Sequence, residues 1–185
     1  NWYGNSYRGL TSLREAMAQS MNVVAVKTLN DVSPKIGYDY LLNLGFTTLV
    51  DNYTNQDGKT YTDISLPLAL GGLTKGVTNL ELTNGFATIA NQGLYHPAFF
   101  YTKIVDHDGN VLLDNTMNTD TRQVMKESTA WLLTSAMEDV ILKGTGSRLK
   151  FKKINMPQAG KTGTSTGNRD LWFVGYTPYL TAGIW

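Results

Sequence analysis

In the first part of the chain apolar residues recur at helical spacing; towards its end they come in short runs joined by tight connections. Leu13, Ala16 and Met17 follow Ser12-Leu13-Arg14-Glu15, a capping-box pattern, and predict a helix over about 12–19. Ser20-Met21-Asn22 interrupts that helix, because serine and asparagine side chains compete for backbone groups, before Val23, Val24, Ala25, Val26 and Leu29 resume the pattern. Ser33-Pro34 starts a further helix, with the serine as cap, the proline in the first turn and Gly45 as left-handed closure. Thr78-Asn79-Leu80-Glu81 is a second capping box, opening a helix with Leu82, Phe86, Ile89 and Ala90 that ends before Gly93. A last helix over 128–142 places Trp131, Leu132, Ala136 and Val140 on one side and stops at Gly144.

Between these helices, Asp57-Gly58 marks a turn in the polar stretch 51–62, and 64–70 leads into Gly71-Gly72. Residues 101–105 and 111–113 flank Asp108-Gly109, a hairpin signal. Strands at about 160–165, 171–176 and 180–185 are joined by short connections, which implies an antiparallel meander. Helices early and a sheet late make the fold class α+β. The chain reads as a single domain over 1–185, truncated, since it stops at Trp185 inside its last strand.

Composition narrows the function classes. With 185 residues and 42% of them hydrophobic, the chain suits one domain or a large piece of one. A net charge of +1, with no basic run beyond Lys150, Lys152 and Lys153, argues against nucleic acid as a partner. That cluster reads as a solvated edge. Without cysteine there is no disulfide, thiolate metal site or cysteine nucleophile. His96 and His107 read as ordinary surface residues, no spacing of His, Asp and Glu reads as a metal site, and no cofactor is called for. No apolar run approaches the roughly 20 residues of a spanning helix, and Asn1-Trp2-Tyr3-Gly4 is no signal peptide, so the chain as given reads as soluble.

The stretch with the most chemistry is Ala159-Gly160-Lys161-Thr162-Gly163-Thr164-Ser165. A lysine, a residue without a side chain and three hydroxyls in five positions form a strip suited to anions. On an extended strand Lys161, Gly163 and Ser165 share one face, Thr162 and Thr164 the other. At a sheet edge, Gly163 lets another backbone approach, so an extended peptide can dock as an added strand. A phosphate-binding P-loop is disfavoured because Asn155 stands where its first glycine belongs. A polar strand without chemistry remains the plain alternative until a second motif is found.

That second motif is Ser20-x-Asn22, well upstream of Lys161-Thr162-Gly163. The pair resembles the second and third motifs of the penicillin-binding proteins and serine β-lactamases. Arg14-Glu15-Ala16, Leu70-Gly71-Gly72, Thr83-Asn84-Gly85-Phe86-Ala87, Lys143-Gly144-Thr145-Gly146 and Trp172-Phe173-Val174-Gly175-Tyr176 extend the likeness to the transpeptidase domain of the bifunctional, class A penicillin-binding proteins. It covers nearly the whole chain in order. The resemblance implies an antiparallel sheet flanked by helices, incomplete here, with two N-terminal strands, the nucleophile's helix and the final helix lying outside this sequence. The family's first motif, Ser-x-x-Lys, belongs upstream of Ser20. Ser147-Arg148-Leu149-Lys150 matches the bare pattern in the wrong order, after a helix, and reads as chance.

The resemblance implies a D,D-transpeptidase of bacterial cell-wall synthesis, an acyltransferase working through an acyl-serine. Its partners would be a peptidoglycan stem peptide ending in D-alanyl-D-alanine, β-lactams that imitate it, the missing N-terminal part of the domain and a glycosyltransferase domain in the parent. The parent would sit at the extracytoplasmic face of the membrane on an N-terminal anchor, and this chain alone would be inactive. Ser20, Asn22 and Lys161 are the implied catalytic residues: a proton relay, an amide that holds substrate backbone, and an ammonium that tunes the relay. Thr162, Gly163, Thr164 and Ser165 are the implied substrate-binding residues, with the Thr164 N–H as half of an oxyanion hole. Each has a plainer role too: Ser20 and Asn22 as helix caps, Thr164 and Ser165 as strand residues. A scaffold that lacks the serine, or a β-lactamase or carboxypeptidase relative, are the alternatives.

Overall fold

The computed structural model describes residues 7–117 and 120–185. The stretch 1–10, aromatic and glycine-rich without periodicity and therefore expected as a loop, is described only from Tyr7 onward; its first six residues lie outside the described ones. Three helices come first: α1 (Leu13–Ala18), α2 (Asn22–Val32) and α3 (Pro34–Asn43). Ser12 caps α1 by accepting from the Glu15 N–H, whereas the Glu15 carboxylate turns to Arg8, so the predicted box closes on one side only. Ser33 precedes α3 as predicted, but its φ of +97° lies outside the extended region that capping needs, and its hydroxyl makes no capping bond.

A small ribbon, β1 (Tyr53–Thr54) with β2 (Thr60–Tyr61), closes on the turn at Asp57-Gly58. A 3-10 helix over Leu66–Leu70 ends at Gly71 in the left-handed conformation. α4 (Asn79–Ala90) opens on the complete Thr78–Glu81 capping box. Its Glu81 carboxylate also takes the Thr47 N–H and hydroxyl, at 2.7 Å each. Burial by itself would raise the Glu81 carboxyl, but the four hydrogen bonds from Thr78 and Thr47 outweigh it and hold it down at about 2. The clamp ties the start of α4 to the segment after α3.

β3 (Leu94–Tyr95) pairs with β6 (Arg122–Gln123), and β4 (Lys103–Val105) with β5 (Val111–Asp114) in the predicted hairpin, with a bulge at Val105. α5 (Glu127–Leu142) follows. Its packed face is Ala130, Met137, Val140 and Ile141; Trp131 and Leu132, which the periodicity predicts on one side with Val140, are exposed at 66% and 59%. A stripe one residue out of phase fits the same apolar spacing, and only the neighbouring sheet chooses between them.

The sheet is the predicted meander: β7 (Ala159–Thr164), β8 (Leu171–Tyr176) and β9 (Thr181–Ile184), antiparallel in that order. Lys161, Val174 and Gly183 stand in one row, and Ala159 with Tyr176 in the next, on the face that meets the helices. There Met137, Ala159 and Tyr176 form a cluster with Met17, Leu133, Phe86 and Ile89, drawing α1, α5 and α4 onto the sheet. Burying such side chains is worth about 1.5–3 kcal/mol each. The same layer fixes where Lys161 emerges.

Candidate active site

The second motif sits at a helix end of defined geometry. The Met21 N–H reaches the Ala16 carbonyl at 2.9 Å and the Ser20 N–H the Met17 carbonyl at 3.1 Å, the two bonds of a Schellman closure. The left-handed position of such a closure is normally glycine, and α3 ends that way on Gly45, φ +87°. At α1 it is Ser20, with φ +53°. A side chain held left-handed costs about 1–2 kcal/mol, a cost that Gln92 and Asn168 also bear in this chain.

Ser20 is held there with its hydroxyl towards the sheet. Lys161 Nζ donates to Ser20 Oγ at 2.7 Å and to the Thr162 carbonyl at 2.8 Å. The two motifs, 141 residues apart in sequence, therefore meet through one hydrogen bond. Burial brings the Lys161 ammonium down from its usual range to about 8. An amine so placed exchanges its proton readily near neutral pH.

Ser20 closes the C-terminal end of α1 through its backbone, whereas Asn22 is not the cap of the next helix. Met21 is the N-cap of α2 and makes no side-chain capping bond; Asn22 is the first residue of the helix and is exposed. Asn22 stands two positions beyond Ser20, at the start of the element that leaves the site.

Along β7 the other predicted residues follow. Thr162 leaves the strand on the face opposite Lys161, and its hydroxyl lies 2.6 Å from that of Thr145. Gly163 pairs with Trp172, whose ring lies 6.4 Å from that of Trp185. Thr164, exposed, is the last strand residue. Ser165 lies beyond the strand, so the predicted alternation does not extend to it; its hydroxyl accepts from the Asp170 N–H at 2.8 Å and ties the β7–β8 connection. Among the described residues β7 pairs with β8 alone, which leaves one edge of Ala159–Thr164 without a strand partner.

Arg14 is part of this architecture and has no counterpart in the residues singled out for chemistry. Its guanidinium donates to the Ser135 carbonyl and hydroxyl at 2.8 Å each and to the Asp139 carboxylate at 3.1 Å, fastening α1 to α5. The Arg14 hydrogen bond holds the Asp139 carboxyl below its usual range. Only the motif context around Arg14-Glu15-Ala16 offered a signal for it. Within Ser147-Arg148-Leu149-Lys150, Ser147–Leu149 is an exposed 3-10 turn that follows α5, and the Ser147 N–H returns to the Gly144 carbonyl at 3.2 Å. Among the described residues no group of His, Asp and Glu is placed to hold a metal ion, and no helix is long and apolar enough to cross a membrane.

The chain belongs to the penicillin-binding-protein transpeptidase domain family, whose model matches residues 1–183. Among its relatives, penicillin-binding protein 4 of Bacillus subtilis is 35% identical over 99% of the chain, and penicillin-binding protein 1F of the same organism is 33% identical over 99%. The chain spans 27% and 24% of their respective lengths. The solved structure of PonA1 from Mycobacterium tuberculosis superposes with a TM-score of 0.78 at 26% identity, over 97% of this chain and 48% of that one. The resemblance carried by Ser20-x-Asn22 and Lys161-Thr162-Gly163 is thus a family relationship that extends along the whole chain.

Proposed function

We propose that this chain supplies the surround of an acyl-transfer site in a D,D-transpeptidase, and that a serine in a preceding Ser-x-x-Lys segment of a longer parent is the nucleophile. The observation that carries the reading is the 2.7 Å bond from Lys161 to Ser20 beside the unpaired edge of β7. Support also comes from PonA1, whose structure in complex with penicillin V superposes with a TM-score of 0.78 at 25% identity. In this reading a stem peptide ending in D-alanyl-D-alanine lies along β7 as an added strand. Its terminal carboxylate meets the Thr162 and Thr164 hydroxyls, with Ser165 at the end of the same strip, and Gly163 admits its backbone.

The nucleophilic serine gives its proton to the lysine of its own Ser-x-x-Lys segment as it bonds to the penultimate carbonyl carbon, and the oxygen of that carbonyl takes up charge beside the Thr164 N–H. When the C–N bond breaks, D-alanine leaves with a proton delivered through Ser20, which Lys161 orients and recharges. Asn22 holds the donor's backbone. An amine of a second stem then attacks the ester, loses a proton by the reverse relay and frees the serine, leaving one cross-link. β-Lactams stop at the ester. The parent would be a bifunctional, membrane-anchored cell-wall synthase acting outside the cytoplasm, with a glycosyltransferase domain before this one.

The test is product analysis of the parent with a D-alanyl-D-alanine stem peptide and an amine acceptor. The expected result is one D-alanine released for each cross-linked dimer formed. Release with water as sole acceptor points to a carboxypeptidase, and no turnover with no acylation points to a scaffold; either overturns the reading.

A further inference from the structure

The gap that the Lys161–Ser20 bond spans is bridged a second time, by the loop after α5. Gly144 lies so close to the turn before Ser20 that an added Cβ would stand 2.1 Å from the Ala18 carbonyl oxygen and 2.8 Å from its carbon. Backbone cannot yield as a flexible side chain does, so only glycine fits. The next residue, Thr145, donates its N–H to that same Ala18 carbonyl at 3.1 Å. Ala18 is fully buried and sits two residues before Ser20. The hydroxyl of Thr145 meets that of Thr162, next to Lys161, at 2.6 Å. One residue thus holds the Ser20 turn by its backbone and strand β7 by its side chain.

The geometry points to Thr145 as a positioning residue of the transpeptidase site: a strut that fixes the separation of Ser20 from Lys161 and orients the Thr162 hydroxyl towards the substrate carboxylate. This rests on the function proposed above. Thr145 is itself exposed and fills no core space, so its contribution is alignment. The Thr162 hydroxyl has one hydrogen. In the proposed strut Thr145 donates and Thr162 accepts: that bond fixes the Thr162 rotamer and leaves its hydrogen for the carboxylate, which it then binds without first losing rotational freedom.

The experiment compares acylation of the parent by benzylpenicillin in wild type, Thr145→Val and Thr145→Ser. Valine keeps the shape and removes the hydroxyl; serine keeps the hydroxyl. Thr145→Val is expected to lower the second-order acylation rate about tenfold, the worth of one lost hydrogen bond. Thr145→Ser should stay within about twofold, since it retains that bond. The alkaline limb of the pH profile should move to higher pH in the valine variant, as a loosened site readmits water to Lys161. Thr145→Ala, which removes the hydroxyl without adding a methyl to a polar contact, serves if the valine variant melts early. A valine or alanine variant that acylates at the wild-type rate overturns the proposal, as does a serine variant as slow as valine. If wild type itself takes no penicillin, the functional reading falls and the strut falls with it.

Discussion

Replacing Lys161 with methionine in the nucleophile-bearing parent is expected to slow acylation by benzylpenicillin about 10²–10⁴-fold, the range in which positioned acid–base groups act. Methionine keeps most of the apolar stem that lies among the helices and removes the group that bonds Ser20 Oγ and the Thr162 carbonyl. The melting temperature should change little, because a buried ammonium carries a desolvation cost that its removal also relieves. The pH profile is the companion readout. Burial holds the Lys161 ammonium at about 8, and in the proposed relay it is the charged form that recharges Ser20. The wild-type acylation rate should therefore fall as pH rises through about 8, where the proton is lost, and the methionine variant should lack that limb. A variant within threefold of wild type, as judged against the roughly 10² lower bound, would remove Lys161 from the chemistry.

The largest stability effect is expected at Asp63, far from this chemistry. Asp63 is 1% exposed, and its carboxylate takes the Val50 N–H at 2.8 Å, the Thr74 N–H at 2.8 Å and the Thr74 hydroxyl at 2.7 Å. Its own N–H returns to the Val50 carbonyl at 2.8 Å. The residue pins together two segments, at Val50 and Thr74, that no helix or ladder joins. Asp63→Ala removes the acceptor of three donors, the buried Val50 N–H and the part-buried N–H and hydroxyl of Thr74, a loss of about 2–3 kcal/mol. Asp63→Asn should fall between the two, since its amide presents hydrogens towards one of the donors. Denaturant unfolding of the parent reads the loss as a lower midpoint. A change below about 1 kcal/mol would mean that the surrounding loops open to water at little cost.

Much of this architecture is legible in the sequence, for identifiable reasons. Thr78-x-x-Glu81 announces its helix because both halves of the box act within four residues, and the structure contains both. The 159–185 meander is announced by short connections that leave antiparallel pairing as the simple solution. Ser20-Met21-Asn22 announces a break in the helix, but its form is not written there: a serine in the left-handed position usually taken by glycine. That conformation depends on α1, α2 and the sheet together. Residue type likewise does not tell which side of α5 is buried, and Trp131 and Leu132 prove exposed because the sheet meets the adjacent stripe.

Within the site, the sequence identifies Ser20 and Lys161 through their motifs, and the fold brings them within hydrogen-bond distance. Their supports show in the sequence only as members of the stretches Arg14-Glu15-Ala16 and Lys143-Gly144-Thr145-Gly146, with no role attached, because Arg14, Gly144 and Thr145 act through partners more than ten residues away. Arg14 gives no local sign that it reaches Ser135 across 121 positions. Ser165 shows the reverse. Strand alternation assigned it a face, but β7 ends at Thr164 and the serine ties a turn instead.

The most direct measurement is intact mass after incubating this chain, and separately its longer parent, with excess benzylpenicillin. The account predicts one covalent adduct on the parent, mapping to a serine before Asn1, and none on this chain, whose Ser20 and Lys161 surround the nucleophile without providing it. An adduct on this chain alone, at Ser147 or any other serine within 1–185, would contradict it, as would a parent that gains no mass.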